Sequence, residues 1–76
     1  MSPRLPALRP REVIRALERA GFVVARTSGS HYLLRHPDRP ERSVTVAYHA
    51  TDLKPGTLRA IIKQAGFTVE QFLELL

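Results

Sequence analysis

Ala20-Gly21-Phe22 and Ala65-Gly66-Phe67 repeat one pattern, and between them they constrain most of what this chain can fold into. Each closes a run of helical apolar spacing. Each reads as a helix stop, with glycine at C′ and phenylalanine placed to contact the last helical turn. The first run starts at Pro10, which sits where a first helical residue belongs. It carries Val13, Ile14, Leu17 and Ala20 on one side, and Arg11, Glu12, Arg15, Glu18 and Arg19 on the others. The second run begins around Pro55-Gly56-Thr57 and carries Leu58, Ile61, Ile62 and Ala65. Thr68 and Gln71 then form a capping-box pair, and Phe67 with Phe72 a hydrophobic staple, which predicts a last short helix.

The stretch between the two stops has period-two character. Phe22–Thr27, Tyr32–Arg35 and Ser43–Tyr48 read as strands, and Val44, Val46 and Tyr48 alternate with small or polar residues. A small turn around Ser28-Gly29-Ser30 joins the first two strands as a hairpin. The segment Pro37–Arg42 reads as a loop before the third strand. In the second strand Tyr32 and Leu34 share one face, and His31, Leu33 and Arg35 the other. If Tyr32 and Leu34 face the core, His31 and Arg35 face outward together; a slip of one residue reverses this. The order is α-β-β-β-α with a short terminal α. The economical arrangement is an α+β fold, a three-stranded antiparallel sheet with its helices on one face and the other face open.

The chain has 76 residues, enough for one domain (1–76) with a thin core, and Met1–Arg9 reads as a loosely ordered lead-in. Without cysteine there is no disulfide, no thiolate zinc site and no cysteine nucleophile. His31, His36 and His49 lack metal-ligand spacing, so no metal or other cofactor is expected. No apolar run approaches the ~20 residues that span a membrane, and the start has no signal-peptide core, so a cytoplasmic protein is the default expectation. Twelve Lys plus Arg against seven Asp plus Glu give a net charge of +5. Ten of the twelve cations are arginine, the side chain that grips phosphate bidentately, so the partner is anionic: nucleic acid or an acidic protein.

A basic αβββα domain with an open sheet resembles the double-stranded RNA-binding fold. It lacks the lysine cluster such domains carry at the second helix, where this chain reads Lys54-Pro55-Gly56-Thr57-Leu58-Arg59. The whole pattern resembles the HicA-type toxins, small bacterial mRNA interferases of toxin–antitoxin pairs. The resemblance rests on Ala20-Gly21-Phe22, on Gly29-Ser30-His31-Tyr32, and on Val44-Thr45-Val46 leading to His49. Its most specific piece is Lys54 through Gly66. It implies the fold above, metal-free cleavage of RNA, His31 as the catalytic residue, and a HicB-like antitoxin covering the active face.

The chemistry of such a site also follows from its residue types. Metal-free cleavage needs one group to remove a proton from the 2′-hydroxyl and another to protonate the departing 5′-oxygen. Histidine titrates near neutral pH, so His31 suits either role. A cation must stabilise the charge that builds on the phosphorane, and Arg26, Arg35 and Lys54 are the candidates, with Arg35 favoured by the strand phase. Gly29 and Ser30 can meet a phosphate or simply make the turn. Gly56 and Thr57 can likewise hold a phosphate or only cap the helix. His49 is a possible second acid–base group or a loop hydrogen-bonder, and His36 reads as a solvated loop residue. Two other readings stay open: a non-catalytic RNA-binding module of the same shape, and an interaction domain for an acidic protein.

Overall fold

A computed structural model describes residues 4–76; Met1, Ser2 and Pro3 of the expected lead-in lie outside it. The elements are α1 (Pro10–Arg19), β1 (Val23–Ser28), β2 (His31–His36), β3 (Arg39–Ala47), α2 (Pro55–Gln64) and α3 (Val69–Leu73). The strands form one antiparallel sheet in the order β1-β2-β3. Residues 4–9 form no helix or strand, yet Leu8 is buried and its carbonyl accepts from the Leu53 amide at 2.8 Å. Among the described residues no helix is long and apolar enough to cross a membrane.

Both helix stops form as their sequences predict. Phe22 N–H donates to the Leu17 carbonyl and Gly21 N–H to Glu18, while Phe67 N–H donates to Ile62 and Gly66 N–H to Lys63. This is the paired bonding of a Schellman ending at both sites. Phe22 therefore belongs to the helix end, not to β1, and it is buried at 2% exposure. The Thr68 hydroxyl accepts from the Gln71 amide, and the Gln71 side chain accepts from Thr68 N–H, which completes the box at α3.

The core is one cluster, in which Val13, Leu17, Leu58, Ile62 and Phe72 from the helices meet Leu34, Val44 and Val46 from the sheet. Leu34 pairs with Val44 and Tyr32 with Val46, so these residues share the face beneath the helices. His31, Leu33, Arg35, Ser43, Thr45 and Ala47 take the opposite face, where Leu33 and Ala47 are half-buried and the rest exposed. The expected phase of β2 is the one observed. Six exposed residues make up β1, so the helical layer leaves it uncovered on both sides.

Two local expectations need correction. β3 begins at Arg39, and the expected loop 37–42 contracts to a turn at Pro37-Asp38. Pro40 is tolerated because β3 is an edge strand, where a missing N–H costs no ladder bond. The pairing then slips between Arg35↔Ser43 and His36↔Arg39, leaving residues 40–42 of β3 as surplus. Arg42 is half-buried there, with its guanidinium against Gly66 at the end of α2. His36, in turn, is not a solvated loop residue. It ends β2, and its ring meets Phe22 edge-on at 5.2 Å between centroids. Its Nε2–H donates to the Ala20 carbonyl and its Nδ1 accepts from the Asp38 amide, both at 3.2 Å, and one tautomer satisfies both bonds.

Candidate functional site

His31 opens β2 directly after a two-residue turn, Gly29-Ser30, and pairs with Ser28 across that turn. Gly29 has φ +58° and Ser30 a negative φ, which is the pattern of a type II′ hairpin turn with glycine first. The turn is fixed from the other side as well. Ser30's carbonyl accepts the Tyr48 amide at 2.6 Å, just past the end of β3, while His31 itself pairs with Ala47. Three backbone segments thus set the position of the His31 Cα, and rigid elements hold a site better than loops do.

The imidazole stands on the open face and is exposed. Among the described residues neither of its ring nitrogens has a hydrogen-bond partner, so both are available to a substrate. His31 and His36 are therefore opposites. One is free on the open face, and the other is spent on structure at the far end of the same strand.

Pairing decides which cation stands near His31. Arg26 pairs with Leu33, so it lies on the open face as the diagonal neighbour of His31, with Cα atoms about 7–8 Å apart. Arg35 is on that face too, but opposite Val23 and four residues along the strand, or about 13 Å away. Both arginines are exposed. Of the candidate cations, Arg26 and not Arg35 is the one placed beside His31. Lys54 is exposed at the N-cap of α2, off the sheet. His49 also leaves the sheet: it lies beyond β3 and lines a cleft with Arg9, Arg11, Glu12, Arg15 and Tyr48.

The corner so built contains Arg26, Ser28, Gly29, Ser30 and His31, all on or beside one end of an open sheet. It can offer a proton acceptor or donor, a cation and a close backbone approach to one phosphate. Among the described residues no three His, Asp or Glu side chains come together as a donor set for a metal ion.

A family model described as the HicA toxin of bacterial toxin–antitoxin systems matches residues 10–67. The chain belongs to the HicA toxin family. The matched span runs from the first residue of α1 through Phe67, and so includes the whole sheet, the Gly29-Ser30-His31 corner and α2. Membership in this family carries a toxin–antitoxin pairing with it. A comparison with curated proteins returns no match.

Nothing in the sequence singles out the Tyr48 amide, whose bond to Ser30 depends on how far β3 runs beside the hairpin. Strand phase alone favours Arg35 over Arg26. The signal that reverses the ranking is turn length. A two-residue turn pairs Ser28 with His31 and puts Arg26 on His31's face, whereas a three-residue turn would put it beneath the helices.

Proposed function

We propose that this HicA family toxin is a metal-independent endoribonuclease that cleaves mRNA, with His31 as its catalytic residue. The observation that carries this reading is an unpartnered, exposed histidine on an open sheet face, locked in place beside a Gly-Ser turn, with an arginine diagonal to it.

The RNA backbone lies across the open face with one phosphate over the corner. The 2′-hydroxyl attacks the adjacent phosphorus, a new P–O2′ bond forms, and the P–O5′ bond breaks. The 2′-hydroxyl proton passes to a base, and the 5′-oxygen takes a proton as it leaves, giving a 2′,3′-cyclic phosphate and a 5′-hydroxyl. His31 performs one of these transfers, worth ~10²–10⁴-fold in rate. The open corner leaves the other to water. Arg26 offsets the extra negative charge of the pentacovalent phosphorus, with Gly29 and Ser30 approaching the phosphate through the backbone. Arg35 and Lys54 contact RNA further from the cleaved bond. In the cell the toxin acts in the cytoplasm on mRNA, and a HicB-like antitoxin silences it by covering the open face.

Product analysis tests the reading. Wild-type protein incubated with a synthetic oligoribonucleotide is expected to leave 2′,3′-cyclic phosphate ends. Folded His31→Ala and His31→Gln are both expected to leave the RNA intact, because glutamine keeps bulk but moves no proton. A folded His31→Ala that cleaves at the wild-type rate would remove His31 from the chemistry. Tight RNA binding by the wild type without cleavage would make the domain a binding module.

A further inference from the structure

We infer that the cleft between the start of α1 and the end of β3 is a second RNA site, which seats a single-stranded nucleotide next to the one being cleaved. The inference rests on the RNA-cleaving reading above. The cleft has a volume of about 400 Å³ and is lined by Arg9, Arg11, Glu12, Arg15, Tyr48 and His49. Three arginines and a histidine thus share the lining with a single acidic residue. That carboxylate is already engaged, since Glu12 Oε1 accepts the Arg9 backbone N–H at 3.0 Å. Arg11 and Arg15 are one helical turn apart, so their side chains rise from the same face of α1.

Charge alone fits any anion; the aromatic residue narrows the choice. Tyr48 is 37% exposed, and its ring rests on Tyr32 at 5.1 Å between centroids, tilted by 31°. The stack with Tyr32 supports one side of the ring while leaving part of it to solvent. A supported aromatic face among arginines is the combination that binds single-stranded nucleic acid: bases stack and the backbone follows the cations. An acidic protein has no need of the ring.

The location connects this cleft to His31. Tyr48 follows Ala47, the cross-strand partner of His31, and its amide bonds to Ser30 of the catalytic turn. His31 projects from the open face, and the cleft opens on the helical side of the same sheet end. A strand of RNA leaving the scissile phosphate passes around the end of β3 to reach it. His49 then acts as a contact for RNA in the cleft and not as the second catalytic acid.

The test uses the full chain and a fluorescein-labelled 2′-O-methyl oligoribonucleotide, which has no 2′-hydroxyl to attack and is read by anisotropy. The Arg11→Ala/Arg15→Ala pair is expected to weaken binding about tenfold and to flatten the slope of log K against log salt by roughly 1.4, for two lost phosphate contacts. The matched pair Arg59→Ala/Lys63→Ala, one helical turn apart on α2, removes the same charge and is expected to change neither. Tyr48→Ala is expected to weaken binding by roughly 5- to 150-fold, with Tyr48→Phe restoring it. Equal losses from the two charge pairs would mean a diffuse field and overturn the site. So would unchanged RNA binding, including the case in which the cleft variants lose only an antitoxin. Because the probe cannot be cleaved, these outcomes are independent of whether His31 is catalytic.

Discussion

At the scale of single residues, the site depends on which face of a strand each side chain takes. His31 and Arg26 share the open face as diagonal neighbours, while Arg35 stands at the other end of β2. A close Arg–phosphate contact is worth about 1.5–3 kcal/mol, and a more distant one less. Arg26→Ala is therefore expected to slow single-turnover cleavage by roughly ten- to a hundredfold, and Arg35→Ala to act mainly on RNA affinity. Single-turnover rates at saturating protein separate the two effects. Arg35→Ala slowing the chemical step more than Arg26→Ala would mean that RNA lies toward the β2–β3 turn. The other histidine of the strand has a different duty. His36→Ala loses a bond to Ala20 and a ring contact on Phe22, and is expected to cost about 1–3 kcal/mol of stability. His31→Ala, with no such contacts, should unfold at nearly the wild-type denaturant midpoint. Urea melts of the two variants check this, and a larger loss from His31→Ala would contradict the assignment.

At the scale of elements, each glycine-ended helix has a side chain packed over its stop, His36 over Gly21 and the Arg42 guanidinium over Gly66. The end of α1 is clamped. Gly21 has φ +99°, and a Cβ built there would come within 2.9 Å of His36 Nε2. Gly29 in the hairpin turn has a positive φ as well, but a Cβ there meets nothing within 4 Å. Alanine at Gly29 thus carries only the backbone penalty of about 1–2 kcal/mol. Alanine at Gly21 carries a comparable penalty and also displaces His36 from its bond to Ala20. Gly21→Ala is expected to lose more stability than Gly29→Ala, by about 1 kcal/mol or more, which is a difference of roughly 4–8 °C in Tm for a domain of this size. Thermal melts decide the order. Equal losses would mean that His36 moves aside at no cost.

For the molecule as a whole, the helices bury one side of β2 and β3 and leave the other side, with all of β1, in solvent. Val23 and Val24 are 48% and 38% exposed on that uncovered strand and lie outside the core. The +5 charge acts over this open surface, so RNA affinity is expected to fall steeply with salt. Cleavage is expected to persist in excess EDTA, since the described residues bring together no donor set for a metal. Activity lost to EDTA and restored by Mg²⁺ or Mn²⁺ would replace the histidine mechanism with a metal-assisted one.

The sequence by itself determined the element order, both helix stops and the α3 capping box, and made the outward phase of His31 conditional on Tyr32 and Leu34 facing the core. Each of these is set by a few neighbouring residues: a glycine at C′, a threonine and glutamine three apart, or an alternation of two. It also carried the family pattern, which no single element supplies. Tertiary structure decided what depends on pairing between distant segments. The extension of β3 back to Arg39 rests on the local His36↔Arg39 pairing, whereas the anchoring of His36 under Gly21 and the Ser30–Tyr48 bond join residues far apart in the chain. So does the gathering of Arg9, Arg11 and Arg15 with Tyr48 and His49 around one cleft. Arg26 lies between the two cases. Its position beside His31 hangs on whether the hairpin turn has two residues or three, because a strand's side chains alternate and one residue more would have turned that arginine to the other face.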